Sequence, residues 1–146
     1  MNMSLRVLSV VVVAGAALAA ASGSKVASQA KPLDFEAFKS RIEPIFLERR
    51  EGHVRCYTCH SENNSAFHLE RLSAGANSWT DEQSRKNFQS VSGLVVPNDP
   101  ANSRLLIHPL APEAGGDLFH SGGRQFANKD DPDWKLLATW AGAVKN

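Results

Sequence analysis

Beyond Met3 the chain has no methionine, and it has only two cysteines in 146 residues, Cys56 and Cys59. Two thiols fall short of the four protein ligands of a structural zinc site. A distant histidine would have to be recruited, and Cys59 and His60, being adjacent, are awkwardly placed to share one ion. No β-rich run precedes Cys56, so the βαβ setting of a thioredoxin-like pair is missing. A plain disulfide would explain neither the tight spacing nor the histidine that follows it. Charge of one sign is also scarce, with 16 basic against 15 acidic residues and a formal net charge of +1. Nothing in that balance suggests nucleic acid or a charged membrane surface as a partner. There is no internal repeat and no low-complexity tract.

What is there centres on Cys56-Tyr57-Thr58-Cys59-His60. C-x-x-C-H is the attachment signature of c-type haem. Thiols at i and i+3 on one helical turn point the same way, so both can form thioether bonds to the two vinyl groups of one porphyrin. The histidine that follows offers an imidazole nitrogen to the iron as proximal ligand. The expected cofactor is therefore a single covalent haem c on Cys56, Cys59 and His60.

The N-terminus agrees with that chemistry. Residues 1–21 read as a secretory signal: Arg6 leads into a 15-residue apolar run, Val7 to Ala21, ending in small residues. Ala19-Ala20-Ala21 fits a cleavage site, and Ser28-Gln29-Ala30 fits a later one. The run is short of the roughly 20 residues that span a bilayer. If it stayed uncleaved it would tie the protein to the membrane. No cysteine stands directly after it to carry a lipid. Export to the periplasm or beyond is expected, because thioether formation belongs outside the cytoplasm, and free thiols there would drift to a disulfide. Cleavage after Ala21 removes Arg6 and brings the formal charge to zero. Residues 22–33 read as a small, polar linker and residues 34–146 as one small haem domain.

Helical signals fill that domain, and the expected fold class is all-α, wrapped around the haem. Asp34 caps a helix to about Arg50, with Phe35, Phe38, Ile42, Ile45 and Phe46 as its buried face and a kink near Pro44. Phe67 and Leu69 are expected to close over the haem edge. Thr80-Asp81-Glu82-Gln83 is a capping box opening a thinly apolar surface helix to about Val91. Leu94-Val95-Val96 reads as buried. Asp99-Pro100 signals a third helix that stops near His108, before Pro109. Ala111 to Asn128, with Gly115, Gly116, Gly122 and Gly123, is a long loop of the kind that carries function. Asp131-Pro132-Asp133 starts a last helix with Trp134, Leu137, Trp140, Ala141 and Val144 on its apolar face.

The lack of methionine bears on the iron's sixth position. A mature His/Met cytochrome is ruled out from this chain alone, since Met1 and Met3 lie in the export signal. Another histidine, a weaker group or an open site remains. His53 is three residues before Cys56 and His68 eight after His60, both poorly placed to reach the far face. His120 and His108 are far enough along the chain, and Gly122 and Gly123 beside His120 permit close approach to a flat ring. Arg55, Arg124 and Trp79 are candidate partners for the haem propionates.

Over about Asp34 to Val144 the chain resembles a mono-haem, class I-type cytochrome c domain, with N-terminal helix, C-x-x-C-H turn and aromatic C-terminal helix in that order. More narrowly it is similar to bacterial exported cytochrome c-like domains with a D-P-x-x-S-x-L-L helix and an H-G-G-G-type loop. Asp99 to Leu106 and His120-Ser121-Gly122-Gly123-Arg124 match, with Ser121 in place of the first glycine. The resemblance implies His120 as distal ligand and single-electron transfer between redox proteins. Two readings stand beside it: a haem enzyme or gas-binding sensor with an open sixth site, and a haem subunit of a larger redox assembly.

Overall fold

The computed structural model describes residues 32–142. The expected export signal, most of the 22–33 linker and Val144 lie outside the described residues. Within them the chain is all-α, and the one β feature is an isolated parallel bridge between Leu110 and Phe126.

Asp34 opens the first helix by accepting the Ala37 N–H at 3.0 Å. Three stretches then run on without a break: α1 (Phe35–Ala37), a π-helical turn (Phe38–Ile42) and α2 (Glu43–Leu47). Pro44 accounts for the wider turn. Proline has no N–H to give, and its ring crowds the carbonyl four residues back. The Glu43 N–H instead reaches five residues back to the Phe38 carbonyl, and the helix resumes. The expected kink is thus a π turn. The helix also ends earlier than expected, at Leu47, because Glu48 is extended. That frees Arg50 to pair with Asp131 at 3.0 Å and with Asp133, at the start of the last helix.

The thiol turn is α3 (Cys56–His60). It is followed by α4 (Asp81–Ser92), which carries the full capping box of Thr80 and Gln83. The expectation that α4 lies on the surface fails on its inner side, where Ser84, Asn87 and Val91 are buried. Ser84 Oγ and Asn87 Nδ2 donate to the two carboxylate oxygens of buried Glu43, at 2.8 and 3.1 Å. Asn87 Oδ1 accepts the Glu70 N–H at 2.7 Å. Polar side chains satisfy one another here, so burial leaves no apolar signature in the sequence.

The third helix starts later than Asp99-Pro100 suggests. Asp99 holds only a single turn, accepting the Asn102 N–H at 3.2 Å. Ser103 Oγ is drawn to Asp99 O (2.8 Å) and to the Val96 N–H (2.9 Å), and α5 (Arg104–Ile107) begins after it. It stops at Ile107; His108 keeps a helical backbone and still donates to Arg104 O, and Pro109, with no N–H, ends the ladder. Val95 is buried, but Val96 is 43 % exposed, so the expected buried run is shorter.

The last helix, α6 (Pro132–Trp140), is capped as expected: the Asp131 carboxylate accepts the Asp133 and Trp134 N–H groups at 2.9 and 3.2 Å. Trp134, Leu137 and Ala141 are buried, and Trp140 is half-buried. Two indole N–H groups pin α6 to its neighbours. Trp134 donates to Leu106 O at 3.1 Å and Trp140 to Asp34 O at 2.8 Å. Phe38, Ile42, Leu106 and Leu137 are fully buried between these helices.

Candidate functional site

The thiol turn, the end of α2, α5 and the long loop enclose a cavity of about 380 Å³, within the range of small-molecule and cofactor sites. Cys56 and Cys59 are free thiols and both line it. Ile45, Phe46, Leu105 and Phe126 supply apolar walls, so part of the stripe expected to be plain core also faces the cavity. Burial pushes the Cys56 thiol up from 9.0 to about 11.

His60 and His120 face the same space. Each has its Nδ1 taken by a backbone carbonyl: His60 by Phe67 O at 2.7 Å, His120 by Gly123 O at 2.6 Å. A ring that donates from Nδ1 keeps the Nε2 lone pair for a metal. Burial lowers the pKa of His60, opposed by its bond to the Phe67 carbonyl, and the neighbouring histidines lower it further. Burial likewise lowers that of His120, against the Gly123 carbonyl. Both shifts favour the neutral imidazole, the form that ligates.

Their ring centres are 6.4 Å apart and their planes 16° from parallel. With metal–nitrogen bonds of about 2 Å and ring nitrogens roughly 1.1 Å from the ring centre, two imidazoles flanking one metal would sit about 6.2 Å apart. The spacing of the two ring centres is compatible with both nitrogens serving one metal. Among the described residues no group of three or more His, Cys, Asp or Glu side chains is gathered to hold a metal ion. Two nitrogens suit a metal that brings its other ligands with it, as porphyrin iron does.

His108 also lines the cavity. Its Nδ1 is bonded to Asp117 at 2.6 Å, and its ring stands edge-on to His120 at 4.7 Å. His53 and His68 do not line it, and His68 Nδ1 is held by Asn63 O at 2.9 Å. Phe67 does line it, stacked on His60 with 4.2 Å between ring centres. Leu69 instead sits in the core. Of the expected propionate partners only Arg55 reaches the cavity. Trp79 is spent on Glu70 O (2.6 Å), and Arg124 on Glu113 (3.6 Å). Arg104 is the residue the sequence reading missed. It stands four before His108, and that spacing puts both on one helical face. Neither Arg55 nor Arg104 is paired with a carboxylate among the described residues.

The loop that carries His120 closes on itself. Ala111 donates to Phe126 O at 2.9 Å, Gln125 to Pro109 O at 2.8 Å and Asp117 to Ile107 O at 3.0 Å. Its ends meet, as in an Ω-loop. Gly116 packs so tightly that a Cβ would lie 1.9 Å from Leu110 O.

No family model, curated protein or solved structure matches the chain. Among the described residues no helix is long and apolar enough to cross a membrane.

Proposed function

We propose that the chain is an exported mono-haem c-type cytochrome, a small cytochrome c-like domain that carries single electrons between redox proteins outside the cytoplasm. The reading is supported above all by one observation: two imidazoles, His60 and His120, lie 6.4 Å apart and line a cavity that both thiols of the C-x-x-C-H turn also line. Haem c, when bound, supplies a one-electron centre, and two imidazole ligands favour a lower potential than a Met/His pair.

The chain's own residues do the rest. Cys56 and Cys59 would hold the group covalently, and His60 and His120 would offer nitrogen ligands to its iron. The Phe67 and Gly123 carbonyls fix the tautomer of each ligand and raise its basicity. Ile45, Phe46, Leu105 and Phe126 keep water from the ring. Arg55 and Arg104 offer two guanidinium groups to its carboxylates.

A second reading, a haem enzyme or gas-binding sensor, draws on the His108–Asp117 pair beside His120. One experiment separates them. The protein, matured with haem, should show a six-coordinate low-spin spectrum unchanged by carbon monoxide. His120→Ala should turn high-spin and bind carbon monoxide, while His108→Ala stays low-spin. A colourless protein with no haem mass on the Cys56–Cys59 peptide ends the proposal. A wild-type haem that binds carbon monoxide moves the assignment to the second reading.

A further inference from the structure

Gln125 is buried, only 6 % exposed, in a chain whose other cavity-lining residues are mostly apolar or ligating. Its Nε2 donates two hydrogen bonds, to Val54 O and to Gly122 O, each at 3.0 Å. Val54 lies two residues before Cys56, and Gly122 two residues after His120. One side-chain amide thus ties the strand of chain entering the thiol turn to the turn that presents the second imidazole. Its own backbone N–H is anchored on Pro109 O at 2.8 Å, next to His108.

We propose that Gln125 is a positioning residue that sets the span between the His60 turn and His120, and with it how firmly His120 holds the sixth axial position. The planar amide presents two N–H groups in fixed directions, so it constrains both the separation and the rotation of the segments it joins. No backbone bond found among the described residues joins residues 52–55 to residues 120–123. The axial part of this inference rests on the proposed function; the tie itself does not.

The experiment uses the full mature chain with Gln125→Met, which keeps length and removes both donors, and Gln125→Glu as a second variant should the first fail to fold. In the protein as purified, amide hydrogen exchange should speed up in peptides covering 52–56 and 117–124 and stay at the wild-type rate in α6. In haem-bearing protein, a high-spin fraction should appear. Carbon monoxide should shift the spectrum of the reduced variant and leave that of reduced wild type unchanged. Wild-type exchange in both peptides overturns the tie. Faster exchange spread equally into α6 reduces Gln125 to a general structural role and overturns the positioning claim, as does an unchanged spectrum in a haem protein with a loosened loop. A chain that takes up no haem removes the proposed function, while the exchange result still judges the tie.

Discussion

Replacing Glu43 by glutamine should stabilise the protein, and by more as the pH rises. The carboxylate is 4 % exposed, faces Ser84 and Asn87, and has Lys39 and Asp81 as its nearest charges. Burial raises its pKa above the ordinary 4.5. The hydrogen bonds from Ser84 and Asn87 and the charge of Lys39 pull it back only in part. The folded state therefore binds this proton more tightly than the unfolded chain does. What Glu43 contributes is fully present below 4.5 and is lost as the pH climbs through its folded-state value. Each unit of separation between the two states is worth about 1.4 kcal/mol. Glutamine stays neutral throughout. Its carbonyl still accepts from Asn87, and its amide can donate to the Ser84 hydroxyl. Glu43→Ala is the contrast. It strands two buried donors at about 1–3 kcal/mol each, so a loss of roughly 2–6 kcal/mol is expected at the acid end, shrinking as the wild-type carboxylate ionises. Urea unfolding followed by circular dichroism, from about pH 4 to about pH 8, reads all three proteins. The gap between Glu43→Gln and wild type should be small at the acid end and widen towards neutrality. A gap that narrows with rising pH would refute the reasoning.

Three further outcomes follow from the geometry. Gly116→Ala drives a methyl into the Leu110 carbonyl, 1.9 Å away. The loop must shift, which should cost about 3 kcal/mol or more by thermal unfolding and raise the high-spin fraction of the haem protein. Arg50 joins Asp131 and Asp133 and lies 4.8 Å over the Phe126 ring; Arg50→Ala should lower stability by about 2 kcal/mol, and lysine should restore little of it, lacking the planar fork. In protein made without haem, the raised Cys56 pKa of about 11 should slow its alkylation about a hundredfold relative to an ordinary thiol near neutral pH, as peptide mass spectrometry would show.

Where the controlling contacts are local, the sequence was legible. Asp34, the Thr80–Gln83 box and Asp131 cap their helices because each bond spans two or three residues. The thiol turn and the stop before Pro109 are written just as locally. The misreadings share the opposite cause. Asp99-Pro100 carries the same signature as Asp131-Pro132, yet Ser103 is held back by Val96, and the helix waits until Arg104. The first helix ends at Leu47, where Glu48 turns extended, and Arg50 goes to carboxylates 81 and 83 residues away. Helix α4 looked exposed because its buried partners are Glu43 and the Glu70 backbone, and a hydrophobicity pattern does not register such partners. At the cavity, the motif names His60 and the glycines beside His120 favour it over His108. That His108 is bonded to Asp117 and His120 to the Gly123 carbonyl could not be read from spacing, and Gln125 offered no signal at all.

The π turn at Phe38–Ile42 holds one residue more than regular helix would need. Deleting a residue there would give a smoother helix and a worse protein. Everything upstream would swing about 100° round the axis, carrying the Asp34 carbonyl away from the Trp140 indole and Phe35 off Phe88. Point changes within the turn leave that register alone. In a lineage of such chains, its length should outlast its spelling.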